Sequence, residues 1–131
     1  MAKLGKLVVI EGIDGSGKGT QAKLLVRQLA DWGAVRVDFP RYKVTAVGKL
    51  LKQLLMGKLG DFQKLTPYVS VLPFVIDQYL WWREEGKKAI EAGKLVVANR
   101  YVTSNIHQIY NLKGKSRQAF GRWFWQLVYE E

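Results

Sequence analysis

The chain has no cysteine, which excludes disulfide frameworks, thiolate zinc sites, iron–sulfur ligation and a cysteine nucleophile, and gives an oxidising compartment no support. Its one histidine, His107, excludes multi-histidine metal sites. Long hydrophobic runs are missing too. Behind Lys3 and Lys6 the apolar stretch Leu7 to Ile10 stops at Glu11, far short of a signal-peptide core or a spanning helix. There is no internal repeat, low-complexity tract or Ser/Pro-rich linker. Acidic residues are scarce, 11 against 21 Lys and Arg, and the formal charge of +10 favours a polyanionic partner: nucleic acid, an acidic membrane surface or phosphorylated small molecules. What is present, 131 residues with 48% apolar and 24% charged, is the composition of one folded domain, expected to be soluble and cytoplasmic.

Leu7 to Glu11 (LVVIE) is β-branched without polar alternation, the pattern of a strand buried on both faces of a parallel sheet. Glycine-rich sequence from Gly12 to Gly19 follows, then a helical repeat through Ala22, Leu25, Val26, Leu29 and Ala30, with Gly33 as the expected C-cap. Val35 to Val37 reads as a second strand. It leads into DFPRY, and a helix is predicted from Thr45 to Met56 with Val47, Leu50, Leu51, Leu54 and Leu55 on one face. Pro67 starts another helical stretch, expected to break or restart at Pro73. Lys87 to Glu91 adds a short helix, Leu95 to Ala98 a third buried strand, and NRY at Asn99 to Tyr101 an entry into a helix through Tyr110. The last segment, Ser116 to Glu131, places Phe120, Trp123, Phe124, Leu127 and Val128 on one helical face. Alternating strands and helices imply an α/β fold with a parallel, doubly wound sheet, in which ligands bind at the carboxyl ends of the strands.

GIDGSGKGT, Gly12 to Thr20, matches GxxxxGK between a strand and a helix, the context a P-loop requires. Glycines let successive N–H groups converge on phosphate oxygens, the helix N-terminus adds a positive dipole, and Lys18 carries an ammonium to the β and γ phosphates. Gly19 stands where Ser or Thr usually supports a metal, with Thr20 one position later. Asp14 inside the loop is repulsive to a triphosphate unless a metal or a substrate hydroxyl engages it. Arg41 in DFPRY is the natural second phosphate clamp, and Arg100 ends the third strand on the same sheet edge. Two such arginines imply a second, phosphate-bearing substrate. Phe74, one turn before Asp77 and Gln78, is placed to stack on a base whose edge Gln78 would read.

In order and spacing, EGIDGSGKGTQAKLL, DFPRY, the Phe74 to Gln78 stretch and NRYVTSN resemble the thymidylate kinase family of P-loop nucleoside monophosphate kinases, across essentially the whole chain. The resemblance implies transfer of the ATP γ-phosphate to dTMP, giving dTDP, with Mg²⁺ as cofactor. Gly12, Gly15, Ser16, Gly17, Lys18, Gly19 and Thr20 would hold the ATP phosphates. Asp14 would meet the sugar 3′-hydroxyl of dTMP or the metal shell, and Arg41 and Arg100 the dTMP phosphate. Phe74 would stack on thymine, and Asn105 and Gln108 would lie along the nucleoside, with Tyr42, Tyr101 and Ser104 lining the same site. Lys18, Asp14 and Arg100 are the residues implied for catalysis. A homodimer is implied as well, whereas membrane association and nucleic-acid binding are not.

The chain departs from the family pattern at Asn99, usually Asp, and at Gln78, usually Arg; Thr20 and Asn99 are left as the expected metal-side oxygens. Three of the family's five strands are readable, and the lid and the last strands are not. The reading is therefore a single P-loop domain over 1–131, truncated before the lid, with the P-loop strand at a sheet edge and weak or no catalysis by itself. The competing expectations are a deoxynucleoside kinase, which would leave Arg41 and Arg100 idle, and a non-catalytic nucleotide-binding fragment.

Overall fold

The three β-branched runs pair as a parallel sheet in the computed structural model, which describes residues 3–129 without the side chains of His107 and Gln108. Strands β1 (Lys6–Ile10), β2 (Val35–Asp38) and β3 (Leu95–Asn99) lie in the order β1-β3-β2. Ile10 and Asp38 both pair with Asn99, so the three strands end level and their following residues leave from one edge. Helices α1 (Lys18–Gln28), α2 (Ala46–Leu55), α3 (Pro67–Trp81), α4 (Lys87–Glu91) and α5 (Gly114–Tyr129) make up most of the remainder. The chain divides into two units, Met1–Phe39 with Gln78–Tyr101, and Pro40–Asp77 with Val102–Glu131.

The first unit carries the sheet. Central β3 is the strand buried on both faces, through Val96, Val97 and Ala98. β1 is not: no strand covers its outer side among the described residues, and Val8 remains 37% exposed. Its apolar run thus predicts strand correctly and full burial wrongly, because burial depends on the neighbour. One sheet face packs Phe39, Trp81, Val96 and Ala98 together, with Val35, Val37, Ala89, Ile90 and Tyr101 against them. Trp81 meets Phe39 edge to face, with ring centroids 5.4 Å apart. A π-helical turn, Trp82–Gly86, brings Gly86 onto the Trp81 ring, where a Cβ would lie 2.7 Å from a ring carbon.

In the second unit Val71, Phe120 and Phe124 form the core, with Trp123 and Val128 beside them as the α5 periodicity predicts, and with Trp125 in place of the expected Leu127. Leu51 is buried on α2, whereas Leu50 and Leu55 are largely exposed. Thr45 caps that helix through its hydroxyl, which accepts from Gly48 N at 2.9 Å.

Two local expectations are corrected and a third is refined. α1 ends at Gln28, and Gly33, at φ 66°, terminates a separate 3₁₀ turn, Ala30–Trp32. α3 runs through Pro73 without a break, and Val69, four residues earlier, is half exposed. The helix expected after NRY is present as Val102–Asn111, wound as 3₁₀.

Candidate functional site

The end of β1 opens directly into the glycine loop. Gly15 and Gly17 have φ values of 78° and 91°, a left-handed backbone that glycine adopts without steric cost. Gly12 must also be small, since a Cβ there would lie 2.7 Å from the Ser16 hydroxyl. Lys18, the first residue of α1, is only 8% exposed and its Nζ donates to Ile13 O at 2.6 Å. α1 has no side-chain cap and no acid in its first turn, so its N-terminal N–H groups and dipole present an anion-binding end. Ser16 and Thr20 are exposed beside it.

At the level edge of the sheet, arginines and acids pair across strands. Arg100 forms an ion pair with Asp14, whose side chain is 98% exposed. Arg100 is also the one non-glycine residue with positive φ, 67°, among the described residues. Its N–H donates to Ile10 O at 3.0 Å, and the next N–H, of Tyr101, donates to a Glu11 carboxylate oxygen at 3.0 Å. Beside it Asn99 Nδ2 donates to Asp38 at 2.9 Å, and Arg36 Nη2 donates to the same carboxylate oxygen at 2.7 Å. Asn99 Oδ1 is buried and has no partner among the described residues. Gly19 approaches this network, with an ideal Cβ 3.6 Å from Arg36 Nη2 and 3.7 Å from Asn99 Nδ2. Among the described residues no cluster of three or more Asp, Glu or His side chains is set to hold a metal. The orphaned Asn99 oxygen fits a water of a magnesium ion whose shell comes mainly from phosphate and solvent.

The second unit holds most of the other predicted residues. Arg41, 7% exposed, is tied to fully buried Asp77: its backbone N and its Nε donate to the two carboxylate oxygens at 2.9 and 3.0 Å, and its Nη2 donates to Asp77 O at 2.9 Å. The Thr45 hydroxyl donates to the same carboxylate at 3.2 Å. Phe74 lies one helical turn before Asp77, half-buried, its ring edge-on to Phe62 at 6.4 Å. Asn105 is buried, Tyr42 and Ser104 are half-buried, and the Gln108 side chain lies outside the described residues. Gln78, in the first unit, is buried. Tyr101 packs with Phe39 and Trp81 in the core of its unit.

Lys18, Asp14, Arg100 and Asn99 thus lie at one edge of the first unit, together with Glu11 and Asp38, which carry no expectation from the sequence; nor does the hold of Asp77 on Arg41. A strand feeding a left-handed glycine turn and a lysine-headed helix, on a parallel sheet, defines a P-loop α/β nucleotide-binding fold. The thymidylate kinase family profile matches residues 10–126, and the chain belongs to that family. It is 36% identical over 107 residues to a probable thymidylate kinase of Thermococcus gammatolerans, covering 79% of this chain and 51% of that one. A probable thymidylate kinase of Thermococcus kodakarensis is 37% identical over 103 residues, with 76% and 50% covered. The solved thymidylate kinase of Candida albicans superposes with a TM-score of 0.76 at 25% identity, over 97% of this chain and 58% of that one. The chain spans about half the length of the curated relatives it matches.

Proposed function

We propose that the chain serves ATP-dependent phosphorylation of dTMP to dTDP. The observation that carries this is an arginine at the end of β3, Arg100, tied to the phosphate loop through Asp14 in a member of the thymidylate kinase family. The loop from Gly12 to Thr20 binds the ATP phosphates through backbone N–H groups, and Lys18 neutralises the β and γ oxygens. A dTMP phosphate oxygen attacks the γ-phosphorus in line and the bond to the ADP oxygen breaks. The acceptor is already anionic, so no general base is needed, and the residues supply position and charge. Arg100 trades exposed Asp14 for the dTMP phosphate, and Arg41, held by Asp77, offers a second guanidinium to it. Phe74 stacks on thymine, with Gln78, Asn105 and Gln108 along the nucleoside and Tyr42 near its phosphate. Magnesium, bound with ATP, supplies charge neutralisation at the transferring phosphoryl, and Thr20 and Asn99 would hold its water shell.

This reading carries with it the cytoplasm as the place of action and a homodimer as the working form. Val69, Leu72 and Ile76, exposed at helical spacing on α3, supply an apolar stripe for the latter. Among the described residues no helix is long and apolar enough to cross a membrane. The uncovered side of β1 favours a second reading, a nucleotide-binding module without catalysis. Release of ADP with ATP, Mg²⁺ and dTMP, compared with dUMP and thymidine, separates the two alongside calorimetric ATP binding. Turnover with dTMP is expected to be weak for the chain by itself, and to exceed that with thymidine. Turnover of thymidine but not dTMP would overturn the proposal, and ATP binding with silence for all acceptors would establish the second reading.

A further inference from the structure

We infer that Glu11 is a positioning residue: its carboxylate holds the turn at Arg100 in a left-handed backbone conformation and thereby aims that arginine at the phosphate loop. This deepens the reading of Arg100 as a phosphate-binding residue and rests on it. In an extended strand, successive N–H groups point to opposite neighbours. Those of Arg100 and Tyr101 both turn towards the β1 side, one to Ile10 O and the next to Glu11. The backbone must leave the extended conformation between them, and it does so at Arg100 by turning left-handed, φ 67°. The Arg100 N–H is taken by the Ile10 carbonyl, and the Tyr101 N–H that the turn frees from the ladder meets a fixed anion in Glu11.

For an arginine this backbone is unfavourable, because Cβ crowds the following carbonyl. It persists only where the surroundings over-determine it. The Ile10 contact is insufficient by itself, since a straight continuation of β3 would also make it. The Glu11 contact is made only by the turned chain. Glu11 follows the last paired residue of β1, level with Arg100 in the register, so its side chain meets the turn without any excursion of the loop. The two acids of the EGID sequence therefore have different tasks: Glu11 fixes the backbone of Arg100 and Asp14 receives its guanidinium.

The test uses the full chain and two readouts. Calorimetry with dTMP and with thymidine gives the ratio of the thymidine dissociation constant to the dTMP one, which reports the phosphate contact alone. The Tyr101 amide resonance in a ¹⁵N spectrum reports the turn. Glu11→Ala is expected to lower the ratio about tenfold, the loss of one charge-assisted contact, and to move the Tyr101 amide. Glu11→Gln retains an acceptor oxygen and restores both. An unchanged ratio and amide in Glu11→Ala, or a Gln variant as impaired as the Ala variant, would overturn the inference. Arg100→Ala serves as the separate control: if it leaves the ratio unchanged, the phosphate reading of Arg100 fails, and the Tyr101 amide alone then decides for or against the Glu11 role. Should Glu11→Ala fold poorly, adding Arg100→Gly, which accepts the left-handed backbone freely, is expected to restore folding; no recovery would count against the inference.

Discussion

Replacing Asp77 by Ala leaves the Arg41 guanidinium charged and enclosed with its counter-ion gone. The side chains of the pair are 1% and 6% exposed, so solvent screening does little to soften the loss. The carboxylate receives hydrogen bonds from Arg41 N, Arg41 Nε and the Thr45 hydroxyl, all of which lose their acceptor together. Breaking a buried ion pair from one side costs about 3–5 kcal/mol, against a total stability on the order of 5–15 kcal/mol for a domain. With a urea slope of about 2 kcal/mol per molar, the unfolding midpoint should fall by about 2 M. Urea titrations followed by far-ultraviolet circular dichroism and tryptophan fluorescence measure it. Asp77→Asn keeps the shape but turns one acceptor into a donor facing Arg41, and should cost about 1–3 kcal/mol. The double variant Arg41→Met, Asp77→Leu removes both charges and should lie closer to the parent than Asp77→Ala does. A loss below about 1 kcal/mol in Asp77→Ala, or a double variant weaker than that single one, would refute the claim that the pair is a buried unit.

Two further perturbations test close packing. Gly48→Ala would drive a Cβ into the Arg41 carbonyl, whose backbone is fixed by Asp77; a loss of about 1–3 kcal/mol is expected in thermal unfolding, and an unchanged melting temperature would contradict the packing. Gly86→Ala places a Cβ 2.7 Å from the Trp81 ring, itself wedged against Phe39 and Tyr101, and should lower the melting temperature and alter the near-ultraviolet tryptophan signal, while a silent variant would mean that the π-helical turn yields.

The sheet is legible in the sequence because β-branched runs bounded by glycines have few alternatives, and LVVI, VRV and LVVA all become strands. The phosphate loop is legible because its chemistry is local: glycines at left-handed positions and a lysine at the helix start lie within nine consecutive residues. What fails is whatever depends on a neighbour. The apolar run of β1 by itself could not disclose that one of its sides is uncovered, which only the count of readable strands predicted, and Pro73 could not disclose that α3 runs through it. The pairings Arg41–Asp77, Asn99–Asp38 and Tyr101–Glu11 join residues 36, 61 and 90 positions apart, beyond the reach of any periodicity.

Those long-range pairings change the meaning of the charge. A surplus of cations suggested a polyanion, but it is the scarce acids that decide which cations are presented. Asp14, Asp38 and Asp77 each hold one arginine, and Glu11 accepts from the Tyr101 N–H at the turn that carries Arg100. An arginine already ordered by a carboxylate loses less side-chain entropy when it meets a ligand, so part of the cost of binding falls on folding instead. The pairs are not equivalent in this respect. Asp14 is solvated, so its attraction for Arg100 is weak and a phosphate can take its place. Asp77 is enclosed, and displacing it would leave a buried charge, so Arg41 must keep its partner when a ligand arrives. Exposure of the acid therefore separates an exchangeable arginine, Arg100, from a permanently braced one, Arg41.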